Sequence, residues 1–190
     1  VVVVTALFVA AQTGLIQTHS GFPANRVVGG HDADPHSAPF IVSLKAGGSH
    51  ICGGSVIDAE WVLTAAHCMN WGASGTTVFA GKHRIHEHEV TEQSRKPAKF
   101  YIHHKYNGTV GPYDIGLIHL EKPFDLNEYV QTIALPEPEK IHSGQVTLFG
   151  WGSTSTSSTE YYPSILQTVD TAIVKYEECE AALGGPGASL

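Results

Sequence analysis

The 190 residues carry a formal net charge of −7, with 42% hydrophobic and 15% charged side chains, 20 glycines and 10 prolines. This is the composition of an ordinary globular domain, long enough to bury a real core. Its acidic balance argues against a nucleic-acid partner and leaves no polybasic stretch to hold a membrane.

The chain opens on Val1–Ala11, VVVVTALFVAA, an apolar run too short to span a bilayer and ending in small residues that suit the exit from a secretory signal peptide. A buried first strand is the weaker reading, because Gln12–Asn25 then passes through Gly, Ser, His and Pro without periodicity. With no initiator Met and no basic n-region, residues 1–11 read as a signal remnant and residues 12–26 as a short polar pro-segment. Arg26-Val27-Val28-Gly29-Gly30 then offers an Arg-specific protease a scissile bond, and cleavage there frees an α-amino group on Val27.

From Val27 to Val130, short β-rich runs alternate with turn residues. Pro39–Leu44, His50–Ile57, Trp61–Ala66, Thr76–Ala80, Lys99–Ile102 and Asp114–Leu120 are expected strands, broken at Gly47-Gly48, Gly53-Gly54, Asn107-Gly108 and Gly111-Pro112. No amphipathic helical stretch competes with them, so the fold class is all-β, a barrel or a sandwich. Lys122–Pro138, with three prolines, reads as a crossover; Gln145–Gly150 and Leu166–Val174 are again strand-like, around a Ser/Thr-rich loop at Ser153–Thr159.

Two side chains stand out. His67 ends the apolar run Trp61–Ala66 and precedes Cys68, so it is either a core histidine beside a structural cysteine or a near-neutral base held at a cleft. The octapeptide alone leaves those readings level. Asp114 opens the otherwise apolar IGLIHL run, an expensive place for a carboxylate unless a hydrogen-bond donor or a positive charge meets it.

Taken together, Arg26–Gly30, Cys52-Gly53-Gly54-Ser55, Thr64–Cys68, Asp114–Leu120 and Gly150-Trp151-Gly152 resemble the trypsin/chymotrypsin (S1) family of secreted serine endopeptidases, in a wording like that of arthropods. The resemblance runs from about Arg26 to the end of the chain. It implies two six-stranded antiparallel β-barrels, the first over about 27–130 and part of a second over about 140–190. His67 would be the general base and acid, and Asp114 would orient it by accepting a hydrogen bond from one ring nitrogen. Cys52 and Cys68 would be bonded, closing a loop that on the chain-entropy model contributes roughly 3 kcal/mol. A metal held by His67 and the two cysteines lacks a fourth ligand at sensible spacing and is the poorer reading. In the family the freed Val27 ammonium turns inward and orders the oxyanion hole and the specificity pocket.

Several residues fall outside this pattern. His83–Glu89 alternates His and Glu in a region where some family members bind calcium, but calcium wants clustered oxygens, so a solvated surface loop is expected and no metal or cofactor is assigned. Asn107-Gly108-Thr109 is a glycosylation sequon. No Gly-Asp-Ser-Gly-Gly motif follows Asp114: Ser189 has its glycines on the wrong side, and Ser143, Ser153 and Ser164 lack the motif altogether. Cys179 has no partner, and the domain from Val27 is short of the about 200 to 250 residues that such folds commonly need. The expectation is therefore a truncated second barrel with exposed edges, and an inactive fragment of a secreted, monomeric protease. Its partners would be polypeptide substrates, an Arg-specific activator and protein inhibitors. A parent that has lost its serine and serves as a binding or regulatory homologue is the runner-up, and a chance likeness in a secreted inhibitor or adhesive β-domain comes last.

Overall fold

In a computed structural model the residues described are 29–111, 113–154, 162–175, 177–178 and 181. Arg26, Val27, Cys179 and Ser189, like the proposed signal and pro-segment, lie outside them. Among the described residues ten strands run in chain order: β1 (His31–Asp32), β2 (Ile41–Ala46), β3 (Ser49–Asp58), β4 (Trp61–Thr64), β5 (Thr76–Ala80), β6 (Gln93–Arg95), β7 (Pro97–Ile102), β8 (Gly116–Leu120), β9 (Gln145–Gly150) and β10 (Gln167–Ala172). The helical content among the described residues is slight, with a 3₁₀ turn at Ala66–Met69 and one turn of helix at Gly72–Gly75. The all-β reading holds. None of these helices is long and apolar enough to cross a membrane.

Seven strands form one antiparallel sheet in the order β6-β5-β2-β3-β4-β8-β7. Its two ends, β6 and β7, are one run of chain broken only at Lys96, so the run pairs with β5 at its start and with β8 at its end and the sheet curls back on itself. Irregularities in register at Leu44/Lys45, Val56/Asp58 and Pro97/Lys99 supply local bends of the kind that closure needs. Alternation explains the interior: Val42 and Leu44 from β2, Val56 from β3, Val62 from β4, Val78 from β5, and Ile118 and Leu120 from β8 all point inward and are fully buried. Gly54 sits where strands converge, since a Cβ there would lie 2.9 Å from the Leu63 carbonyl oxygen.

A second sheet has three strands among the described residues, in the order β1-β10-β9. It meets the first across a small apolar cluster of Ala33, Ala38, Ile41, Ile85, Trp151 and Leu166. Trp151 donates its indole N–H to the His83 carbonyl at 3.1 Å, and Arg84 pairs with Ile165 in an isolated bridge. The crossover stays against the first sheet, with Gln131 and Ile133 donating backbone N–H groups to the carbonyls of Pro39 and Val56.

The structure corrects the expectation for His83–Glu89. That segment is not simply a solvated loop. It winds around Lys82, whose side chain is 1% exposed, and whose ammonium is hydrogen-bonded to Glu92 and to the Glu87 carbonyl, with Glu89 3.9 Å away. Glu89 accepts the backbone N–H groups of His83 and Arg84 at 2.7 and 3.1 Å. Burial opposes the charged form of Glu92, yet hydrogen bonds from Lys82, His88 and the Glu89 backbone hold its pKa below the usual carboxylate value. The exposed His86 and His88 drew attention in the sequence; the organising charge is the lysine before them.

Candidate active site

β4 and β8 are antiparallel neighbours, with Thr64 opposite Gly116. Antiparallel pairing places the end of one strand beside the start of the other. The chain leaving β4 therefore meets the chain entering β8. Both singled-out residues lie just beyond the ladder: His67 on the 3₁₀ turn that follows β4, and Asp114 in the turn before β8. The strands are shorter than the sequence pattern suggested, and the two functional side chains occupy the freed backbone.

Asp114 grips the 3₁₀ turn twice. Its Oδ2 lies 2.7 Å from His67 Nδ1, and its Oδ1 accepts the backbone N–H of His67 at 2.8 Å. An ionised carboxylate can only accept, so Nδ1 carries the proton and Nε2 keeps its lone pair. The carboxylate side chain is 8% exposed and the imidazole 27%, so the pair is sheltered on the acid side and reachable on the base side. Asp114 is itself presented by a tight reversal. Tyr113 takes a left-handed φ of 68°, Ile115 donates to the Tyr113 carbonyl at 2.8 Å, and Asp114 donates to Gly111 at 3.2 Å.

Cys52 on β3 and Cys68 on the 3₁₀ turn are joined in a disulfide, with Cα atoms 5.9 Å apart. This ties the turn to the barrel next to His67. Imidazole Nε2 lies 3.5 Å from the Cys68 sulfur and 3.9 Å from the Cys52 sulfur. The ligand atoms of the three residues fall within 4.8 Å of one another. While the sulfurs are bonded to each other they are not thiolates, the form in which cysteine ligates metals.

Two residues of this corner escaped sequence reasoning. Gly116 sits in a crowded place: a Cβ would meet the flexible end of Met69 at 2.5 Å, so that side chain would have to shift, and the Tyr101 carbonyl oxygen at 3.0 Å. The signal was present in the Asp-Ile-Gly order but had no reason attached to it. Tyr106 has a buried hydroxyl with no hydrogen-bond partner among the described residues, and burial, then the Asp114 charge, pushes its phenol pKa up. Nothing in its local sequence marks it.

Of the remaining candidates, Asn107 is exposed, its side-chain oxygen accepting from the Thr109 N–H at 3.1 Å and hydroxyl at 2.7 Å. Ser143 and Ser164 are exposed and Ser153 is buried.

Residues 27–188 match the family model described as Trypsin. The chain is similar to the Lectizyme of Glossina austeni, 42% identical over 172 residues that cover 86% of this chain and 61% of the relative. It is also similar to the anionic trypsin of Canis lupus familiaris, 40% identical over 161 residues covering 85% and 63%, and to the trypsin of Sus scrofa, 37% identical over 161 residues covering 85% and 68%. The chain thus spans about three fifths of the length of the first two. With an all-β fold, a curled first sheet beside a second one, and a family match over nearly all of Val27 onward, the chain belongs to the trypsin family of serine proteases.

Proposed function

We propose that the chain is part of a secreted serine endopeptidase made as a zymogen, in which His67 is the general base and acid and Asp114 orients it. The observation that carries this reading is the double grip of Asp114 on His67, one oxygen on the ring nitrogen at 2.7 Å and the other on the backbone N–H at 2.8 Å. It leaves Nε2 as the basic atom of a ring whose side chain is 27% exposed.

The chemistry is nucleophilic acyl transfer. Nε2 takes the proton from a serine hydroxyl as its oxygen attacks a peptide carbonyl, and Asp114 stabilises the imidazolium that forms. His67 then gives that proton to the leaving amine, and water, deprotonated in the same way, releases the acyl group. No serine of these 190 residues carries the Gly-Asp-Ser-Gly-Gly motif, and the nucleophile is assigned to the part of the relatives' length that this chain does not span. The oxyanion donors and the specificity pocket are assigned there as well. Cleavage at Arg26-Val27 by an Arg-specific protease is the activating step. Secretion is supported by the Cys52–Cys68 disulfide and by the apolar run at Val1–Ala11. Polypeptides are the substrates, and protein inhibitors are the other partners.

The test compares two products. The full-length polypeptide, cleaved after Arg26, is expected to hydrolyse peptide substrates and to be labelled by a fluorophosphonate, and His67→Ala is expected to abolish both. The 190-residue chain alone is expected to do neither. Labelling of the 190-residue chain would overturn the assignment of the nucleophile. A cleaved full-length product that neither labels nor hydrolyses would favour the binding homologue instead.

A further inference from the structure

Tyr113, the residue before Asp114, takes a left-handed φ of 68°. A bulky L side chain strains the backbone in that region, and such strain persists only where the surroundings hold it. Among the described residues two others that are not glycine share the conformation, His36 at 59° and Glu139 at 61°, and neither adjoins His67 or Asp114 in the chain. Glycine would make this turn without strain. What the tyrosine adds is its ring.

That ring is 47% exposed, yet it is tied down. It stacks on His103 with centroids 4.9 Å apart and planes 14° apart, and the Lys105 ammonium lies over it, 5.2 Å from its centre. Both contacts are within the range in which stacking and cation–π attraction act. His103 is fixed in its turn. Its Nδ1 accepts the Lys105 backbone N–H at 3.2 Å, its ring stacks on His104 at 4.6 Å, and its own backbone N–H donates to the Ile115 carbonyl at 3.1 Å. This last bond carries the pairing of β7 with β8 one step past Ile102 and Gly116. The turn from His103 to Ile115 is therefore closed twice, by backbone at Ile115 and by a ring at Tyr113, with Asp114 between the two closures.

We propose that Tyr113 is a positioning residue for Asp114: stacked on His103, its ring keeps the chain in the left-handed turn that aims both carboxylate oxygens at His67. The proposal rests on the reading of His67 and Asp114 as the catalytic pair. Because β8 is pinned by β4 and β7, relaxation of φ at residue 113 falls on the short stretch that carries Asp114. The two bonds at risk are those of 2.7 and 2.8 Å to the imidazole and to the backbone N–H of His67.

The test uses the full-length protein cleaved after Arg26. Tyr113→Ala and His103→Ala are each expected to lower kcat by about 10- to 100-fold with KM little changed, the cost of a carboxylate displaced by roughly 1 Å. The double variant should lose no more than the worse single one, because both remove one contact. Tyr113→Phe keeps the ring and should restore the rate. Tyr113→Gly loses the ring but is at ease at positive φ, so it should lose less than Tyr113→Ala, the reverse of what a general loosening of the fold gives. The low-field proton on His67 Nδ1 should shift or broaden in Tyr113→Ala and return in Tyr113→Phe. If Tyr113→Ala does not fold, His103→Ala carries the same kinetic and spectroscopic comparison. An unchanged rate and proton signal in either alanine variant, or a greater loss in Tyr113→Gly than in Tyr113→Ala, would overturn the proposal and leave the catalytic pair standing so long as Asp114→Asn still removes both. Full activity in Asp114→Asn would remove the pair, and the proposal with it.

Discussion

At the scale of single residues, one carboxylate does two things. Asp114 fixes the imidazole by its ring nitrogen and fixes the turn by its backbone N–H, so substitution separates tautomer from position. Asp114→Asn keeps the size of the side chain but gives Nδ1 a donor to face, which turns the proton onto Nε2. In the full-length activated protein we expect kcat to fall by about 10⁴-fold with KM little changed, the loss known for this substitution in a serine-protease triad; a loss below tenfold in steady-state kinetics would remove Asp114 from the mechanism. Gly116 tests the packing behind it. Gly116→Ala pushes on Met69 and on the Tyr101 carbonyl, and chemical denaturation should show a loss of about 1 to 3 kcal/mol, as for other overpacked sites. Adding Met69→Ala should recover part of that loss, and no recovery would mean that the Met69 contact is not the cause.

At the scale of elements, the paired ends of β4 and β8 bring together residues far apart in sequence, and the loop from Lys82 to Glu92 shows a charge being used as a structural centre. Lys82→Met leaves Glu92 and Glu89 around an uncharged stem, and breaking a buried pair in this way costs about 3 to 5 kcal/mol. Hydrogen exchange should locate the loss in residues 82–92 before the barrel strands respond. An even loss over the whole first sheet would contradict a local role. Most strands were legible because alternation and glycine breaks carry the barrel pattern: Thr76–Ala80 and Gln145–Gly150 coincide with β5 and β9. The strands run shorter at Ala65–Ala66 and Asp114–Ile115 because the chain leaves the ladder there to present side chains. The short β1 and β6 escaped because His31-Asp32 and Gln93–Arg95 are polar and owe their pairing to partners distant in sequence. Lys82 was passed over because burial of an ammonium depends on three acceptors that no local pattern announces.

At the scale of the whole molecule, histidine burial couples the fold to acid. His50 sits between the sheets with Nδ1 2.8 Å from the Ser43 hydroxyl and its ring edge-on to Trp151. Burial, then the charges of Lys45 and His86, lowers its pKa from 6.5 to about 4. His83, also buried, is shifted down for the same first reason. The folded protein thus binds fewer protons than the unfolded chain in this window. The resulting stability is present above pH 6.5 and is lost as pH falls toward 4, on the order of 3 kcal/mol for His50. His50→Asn keeps an acceptor for Ser43 and removes the titration. Thermal melts should show a smaller drop in Tm between pH 7 and pH 4.5 for the variant than for the parent chain. Equal drops would clear His50 of the acid sensitivity.

Whether His67 is held as a base with an unprotonated Nε2 is tested most directly by ¹⁵N magnetic resonance of the histidine-labelled 190-residue chain at alkaline pH. Nδ1 of His67 is expected to bear the proton, with a strongly deshielded proton resonance that disappears in Asp114→Asn. A proton on Nε2, or a spectrum unchanged by Asp114→Asn, would contradict it.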